Sequence, residues 1–402
     1  MRPLTFRMLT VATLLMVIGF AQAQKGPAIP ELPSPYQFTD IKRLPATPVK
    51  DQYRSGTCWS FSANSFLESE LLRMGKGEYN LSEMFMVKHA YADKAKRYVR
   101  FNGSLNFGGG GAFHDVINMM RTYGAVPEEI YSGNVIGETA PVHGEMDEVL
   151  KDYIAGVIKN PNKHLTPVWY KGFVGIEDAY LGEEPAKFTY KGKEYTPQTF
   201  LQNLDLNLDD YVEISSFNHH PFYSKFILEV PDNWSHDQVY NVPLDEMIEV
   251  INNSLENGYT VAWASDVSEK GFKYGLGYAN VPEVTPKETA GMEIAKWTAP
   301  KPGDSATAAK PTMVKEKNIT QEMRQAAFDN YETTDDHGLH IIGTAKDQFG
   351  TPFYIVKNSW NANSNKFGGY FYASIPYVRY KTTCIMVNKK AIPAKIAKKL
   401  GL

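Results

Sequence analysis

Apolar residues recur at helical spacing through Trp59, Ala63, Phe66, Leu67 and Leu71, with Gly75 as a stop, so residues 58–74 are predicted to form a helix that opens on Cys58. A second helical stretch starts at Ser82, a good cap, carries Glu83, Met84 and Val87, and ends before Asn102-Gly103. Four glycines at 108–111 lead into the periodic run Val116, Ile117, Met119 and Met120, a loop entering a helix. Further on, residues 146–158 and 244–255 are amphipathic, residues 188–195 alternate around a turn as a short hairpin, and residues 259–264 have the composition of a buried strand.

The strongest β pattern is C-terminal: residues 340–345 and 353–357 are apolar and β-rich, with Asp347-Gln348-Phe349-Gly350 between them as the loop of a hairpin. If Lys346 pairs with Thr351, the ladder sets Asn358 opposite Leu339, about two positions from His337. Residues 369–373 read as one more strand of that sheet. Proline-rich residues 24–50 suit an extended arm, and residues 282–318, rich in Pro, Thr, Ala and Lys, a long mobile surface loop.

Composition narrows the function. The 402 residues are 43% hydrophobic and 22% charged, enough for a large core, and the net charge of -3 with no basic, aromatic-interleaved run argues against nucleic acid as a partner. Arg2 and Arg7 precede the apolar run 8–20, and Ala21-Gln22-Ala23 offers small residues for cleavage; residues 1–23 therefore read as a signal peptide, which implies export to the periplasm or medium. The run is shorter than the ~20 residues that span a bilayer, so stable membrane insertion is not expected. Only Cys58 and Cys384 occur, so at most one intramolecular disulfide could form and stability must come from core burial.

Cys58 at a helix N-terminus has one of the two conditions that make a thiol a nucleophile; the other is an imidazole nearby, held by a third group. His337 and Asn358 at one end of the sheet fit those roles, and the Gln52 amide can join the Cys58 backbone N–H as donors to a developing oxyanion. His340, inside the apolar strand, reads as a core residue. Residues 108–111 lack the Gly-Lys-Ser/Thr ending of a phosphate loop, and glycines there would let a substrate backbone lie close. His219-His220 invites a zinc reading, but no Cys or carboxylate completes a ligand spacing, so no metal is assigned and no cofactor is implied. The lysines at 389, 390, 395, 398 and 399 read as a solvated helix end.

These residues carry a resemblance. Gln52-Tyr53-Arg54-Ser55-Gly56-Thr57-Cys58-Trp59-Ser60-Phe61 resembles the nucleophile motif of papain-like cysteine peptidases; His337-Gly338-Leu339-His340-Ile341-Ile342-Gly343 resembles their histidine strand, and Lys357-Asn358-Ser359-Trp360 their asparagine motif, in which the tryptophan shields the Asn/His bond. Within that family residues 195–200 and 242–267 resemble segments of bleomycin hydrolase and bacterial aminopeptidase C. The resemblance implies an α+β, two-lobed papain-like fold: a helical lobe with Cys58 faces a β-barrel-like lobe with His337 and Asn358, in a domain over residues 24–402 with insertions at about 145–240. It also implies peptide substrates, with Gly109, Gly110 and Trp360 contacting them. Two alternatives stay open, a non-catalytic peptide-binding protein on this fold and acyl transfer to an amine other than water. A homo-oligomer is compatible with the sequence, which does not fix the oligomeric state.

Departures from the family pattern are few. Asn361 stands where the asparagine motif usually continues with glycine, and no long propeptide precedes Cys58. In bleomycin hydrolases a C-terminal arm fills the acyl side of the cleft and restricts cleavage to free N-termini. Residues 388–393 resemble the start of that arm, and the sequence stops at Leu402. An open cleft with endopeptidase activity alongside or instead of aminopeptidase activity is the resulting expectation, unless residues 398–402 or the 282–318 loop close it.

Overall fold

The computed structural model describes residues 34–283 and 314–402. The expected signal peptide at 1–23 and most of the expected mobile loop lie outside them. In chain order the helices are α1 (Cys58–Arg73), α2 (Glu83–Arg100), α3 (Phe113–Tyr123), α4 (Gly144–Ile158), α5 (Val168–Leu181), α6 (Pro197–Leu204), α7 (Leu244–Glu256), α8 (Gln321–Asp329), α9 (Ile375–Lys381) and α10 (Ala394–Leu400). The strands are β1 (Thr39–Arg43), β2 (Phe188–Tyr190), β3 (Lys193–Tyr195), β4 (Tyr211–Ser215), β5 (Lys225–Ile227), β6 (Gln238–Asn241), β7 (Val261–Ser265), β8 (Phe272–Lys273), β9 (Tyr278–Ala279), β10 (His337–Lys346), β11 (Pro352–Lys357), β12 (Tyr370–Ser374) and β13 (Thr382–Asn388).

Helix α1 begins on Cys58, as its pattern predicts, and is buried on nearly every face, including Phe66, Leu67 and Leu71. Such a helix is the centre of a lobe rather than a surface element. Phe85, Val116, Leu150, Phe173 and Phe200, from α2 to α6, pack with it in one apolar core, and Ser82 caps α2 by accepting from Phe85 N–H. The second core lies around the sheet, where Ile248 and Ile251 of α7 meet Trp263, Ile341, Val356 and Ile385.

Among the described residues the sheet has eleven strands, in the order β5-β6-β4-β13-β7-β10-β11-β12-β9-β8 with β1 paired to β10. It is open among the described residues, which corrects the expected barrel-like lobe: β5 and β8 at the two ends pair with β6 and β9 alone. Part of the expected N-terminal arm is also strand, since Thr39 to Arg43 pair antiparallel along β10.

The turn of the β10–β11 hairpin departs by one residue from the expected ladder. Lys346 pairs with Pro352 rather than Thr351, because Asp347 itself bonds back to Thr351 and its side chain accepts from the N–H groups of Phe349 and Thr351. A bulge between Ile341 and Gly343 restores the count, so that His340 pairs with Lys357. The drawn register is therefore recovered at the end that carries His337 and Asn358.

Candidate active site

The N-terminus of α1 meets the first turn of β10 at very short range. A Cβ on Gly338 would lie 2.5 Å from Ser62 Oγ and 3.1 Å from the Cys58 carbonyl oxygen, so only glycine lets the strand that begins at His337 approach the helix that begins at Cys58. Cys58 and His337 line one cleft, together with Gly111, Phe113, Val230, Asp232, Asp335 and others, with about 490 Å³ of space.

His337 is buried, and its Nε2 donates to Asn358 Oδ1 at 2.8 Å. That Asn358 oxygen also accepts from Ser359 N–H at 2.8 Å. The bond leaves the other ring nitrogen as the one able to exchange a proton, which is how an orienting partner fixes an imidazole. Trp360 stacks on the imidazole, with ring centroids 4.7 Å apart and 27° between planes, and thereby keeps water from the His337–Asn358 bond. Phe272 and Tyr274 meet the far side of Trp360 edge-on. Gln52 is buried; its Oε1 accepts from Ser359 Oγ at 2.6 Å and its backbone N–H donates to the Ser359 carbonyl, leaving the amide N–H₂ as the end available to a ligand. Ser359 thus positions both Asn358 and Gln52, a role its motif contained but the sequence reading did not assign.

At Cys58 and His337 the electrostatics of the cleft favour neutral forms. Burial pushes the Cys58 thiol up to about 12, against the backbone N–H groups of Gly338 and Trp59, which pull the other way. Burial likewise lowers His337 to about 4, opposed by the Asn358 bond. Each charge alone is costly here. Transfer of the proton from thiol to imidazole creates both charges together at the positive end of α1, so each stabilises the other.

The remaining expected site residues separate. Among the four glycines Gly111 lines the cleft, while Gly109 accepts from Trp59 Nε1 at 2.8 Å and the Gly110 carbonyl accepts from buried Lys94. Gly110 has close packing of its own, since a Cβ there would lie 2.2 Å from the Asp232 carboxylate oxygens. His340 points into the interior, its Nδ1 2.9 Å from Ser65 Oγ, and is a core residue as expected. Asn361 has φ of +71°, a left-handed conformation that glycine adopts freely and asparagine tolerates, which explains how it replaces the usual glycine. Cys384 is a free buried thiol in the wall of the same cleft, and Cys58 is free as well.

The zinc reading needs a correction. A carboxylate does join His219 and His220: Glu229 brings one oxygen 3.0 Å from His219 Nε2 and the other 3.9 Å from His220 Nε2. Yet His219 Nδ1 faces the Gln325 amide nitrogen at 3.0 Å, and that amide's oxygen is held by Asn218 N–H. The amide therefore donates to Nδ1, the proton sits on Nε2, and His219 donates to Glu229 instead of offering a lone pair to a metal.

Sequence reasoning missed the acidic and ion-paired groups of the cleft. Glu213 accepts from His114 N–H and holds its Nδ1 at 2.8 Å, raising the ring to about 10 despite burial. Asp335, hydrogen-bonded to Thr383 at 3.2 Å, is pushed up to about 7 by burial, with Asp232 adding to the rise. Only its place two residues before His337 could have drawn notice.

A half-buried cysteine at a helix N-terminus, sharing a cleft with an asparagine-held, tryptophan-covered imidazole, is the arrangement of a cysteine peptidase. Comparison with known proteins agrees. The family model described as papain family cysteine protease matches residues 32–158. Aminopeptidase G of Lactobacillus delbrueckii subsp. lactis is 21% identical over 394 residues, covering 86% of this chain and 82% of that protein. Mitochondrial cysteine proteinase 1 of Saccharomyces cerevisiae is 21% identical over 410 residues, covering 90% and 79%. The crystal structure of PepW from Lactobacillus rhamnosis HN001 superposes with a TM-score of 0.68 at 18% identity, covering 90% of this chain and 84% of that one, which shows a shared fold. The chain is thus a cysteine-type peptidase similar to papain-family enzymes, among them a bacterial aminopeptidase.

Proposed function

We propose that Cys58 is the nucleophile of a peptidase that removes residues from free N-termini, with His337 as base and acid, Asn358 as the residue that orients it, and Gln52 with the Cys58 backbone N–H as donors to the oxyanion. The observation that carries this is the 2.8 Å His337–Asn358 bond beneath Trp360, in the cleft that Cys58 lines. His337 takes the thiol proton and the sulfur attacks the scissile carbonyl carbon, whose oxygen gains the charge. The carbonyl then re-forms, the C–N bond breaks, and the nitrogen leaves with the proton from His337, giving a thioester. Water gives its proton to His337 while its oxygen attacks the thioester; collapse breaks the C–S bond and the thiolate recovers the proton.

Restriction to N-termini is supported by the name aminopeptidase on a relative that covers most of the chain, not by the C-terminal residues. In α10 Ile396 and Leu400 are buried in the core that contains α7, and Lys399 pairs with Glu246 of α7, which is no part of the cleft wall. The test is turnover of a free and an N-acetylated form of one fluorogenic peptide by the wild type and Cys58→Ala. The reading expects cleavage of the free form, abolished by the substitution; turnover by Cys58→Ala refutes it. Export is the location that residues 1–23 support, although one relative is mitochondrial by name. Recovery of the protein in a periplasmic or culture fraction, with residues 1–23 removed, checks that reading; full-length protein in the cytoplasm refutes it. Among the described residues no helix is long and apolar enough to cross a membrane.

A further inference from the structure

The segment between β5 and β6, residues 228–237, leaves the sheet lobe and attaches to the helical lobe. Five bonds hold it there. Asn106 Nδ2 donates to Asp232 Oδ1 at 3.1 Å, Trp234 Nε1 to Asp115 Oδ2 at 2.9 Å, and Arg97 to the Trp234 carbonyl at 3.0 Å. Ser235 Oγ lies 2.9 Å from His114 Nε2, and Asn118 Nδ2 donates to Asp237 at 2.5 Å. Trp234 is buried, so the crossing is a packed strap rather than a loose loop. It crosses at the glycine loop, with the Asp232 carboxylate against Gly110, and it contributes Leu228, Val230, Asp232 and Asn233 to the cleft wall.

This position has a consequence for substrates. If the glycine loop receives the acyl side of the substrate, as the proposed function holds, a chain extending past Gly110 would run into the strap. What a substrate presents there is then a chain end, and the chain end on the acyl side is an ammonium group. Asp232 offers it a carboxylate: Oδ1 is bonded to Asn106, and Oδ2 has no hydrogen-bond partner among the described residues. The Lys94 ammonium keeps its charge and attracts Asp232, but its hydrogen bonds go to the carbonyls of Gly108 and Gly110, which leaves Oδ2 open to a donor. The histidine that lines the cleft on this side, His114, is matched by Glu213, so it supplies no net positive charge to repel the ligand.

We infer that residues 228–237 are the acyl-side stop of the cleft and that Asp232 receives the α-ammonium group of the substrate, a charge-assisted contact that selects free N-termini. The inference rests on the proposed function for the direction of the substrate, and its test does not depend on turnover. Binding of alanyl-alanyl-alanine amide and of its N-acetyl form is measured by calorimetry on Cys58→Ala and on Cys58→Ala/Asp232→Asn; Asn keeps the size and the Asn106 contact, so the strap stays folded. The Cys58→Ala protein is expected to bind the free peptide at least tenfold tighter, and the double variant to lose that preference by weakening the free form alone. In the otherwise wild-type enzyme, Asp232→Asn is expected to raise KM for the free peptide by tenfold or more and to leave kcat within about threefold, the pattern of a lost binding contact. Equal binding of the two peptides by Cys58→Ala, or an unchanged preference in the double variant, overturns the inference and leaves the cysteine chemistry standing. Turnover that survives Cys58→Ala would instead remove the proposed function.

Discussion

Gly338→Ala is a test of how the two lobes set the distance between nucleophile and base. The added Cβ would lie 2.5 Å from Ser62 Oγ and 3.1 and 3.2 Å from the carbonyl oxygen and carbon of Cys58. Ser62 Oγ can rotate away, at the loss of its bonds to the carbonyls of Cys58 (2.7 Å) and Trp59 (3.2 Å). The Cys58 carbonyl cannot, because it belongs to the first turn of α1. Relief therefore requires β10 and α1 to separate by a few tenths of an ångström, at the two residues that the proposed mechanism brings together. A misplacement of about 1 Å can cost about 10²-fold in rate, so a shift of a few tenths is expected to lower kcat/KM by roughly tenfold, and overpacking of a buried contact should cost about 1–3 kcal/mol in stability. The assays are kcat/KM on a fluorogenic peptide, the rate of Cys58 alkylation and urea unfolding. Gly338→Ala/Ser62→Ala removes the shortest contact and should recover part of both losses. Wild-type kcat/KM and stability in Gly338→Ala would refute the view that this contact sets the geometry.

Other substitutions separate roles within the cleft. Cys58→Ala and Cys58→Ser should abolish peptide cleavage and leave thermal unfolding near the wild type, since Cys58 is a free thiol bonded to no other cysteine; unfolding of both variants would argue for a structural cysteine. His337→Ala should lower kcat/KM by roughly 10³-fold or more, and Asn358→Ala, which removes one buried hydrogen bond but keeps the base, by about ten- to a hundredfold. His340→Ala should destabilise the fold while kcat/KM stays close to wild type, and inactivation by it alone would mean the wrong histidine has been assigned. His114 is raised from 6.5 to about 10 chiefly by Glu213, so its protonation stabilises the folded state fully below about pH 6.5, and that contribution is lost as pH climbs through about 10. Glu213→Gln should flatten this part of the profile, read as the difference in melting temperature between wild type and variant from pH 6 to 10, and an unchanged difference would refute the pairing.

Much of this protein was legible along the chain because the signals are local. The α1 stripe, the Ser82 cap and the apolar, β-rich runs of β10 and β11 depend on neighbours a few residues away, and they placed Cys58 at a helix start and His337 and Asn358 at one sheet end. The hairpin register could be drawn to that end, although its turn was misjudged, because the Asp347 side-chain bonds and the Ile341–Gly343 bulge shift the count in opposite directions. Short elements such as α6, β4 and β6 escaped, since their burial is set by partners distant in sequence.

What tertiary structure alone decided is where distant segments touch. Gly338 is one more small residue in a strand until α1 lies against it, and Asp232 is one more loop carboxylate until residues 228–237 cross to Asn106 and Gly110. The sheet's open edges, the Glu213–His114 pair and the rise of Asp335 likewise follow from packing across the lobes. Residue types and local spacing determined the chemistry this chain carries. Burial and close approach, which are properties of the assembled lobes, decided the charge state of each group and the space left for a substrate.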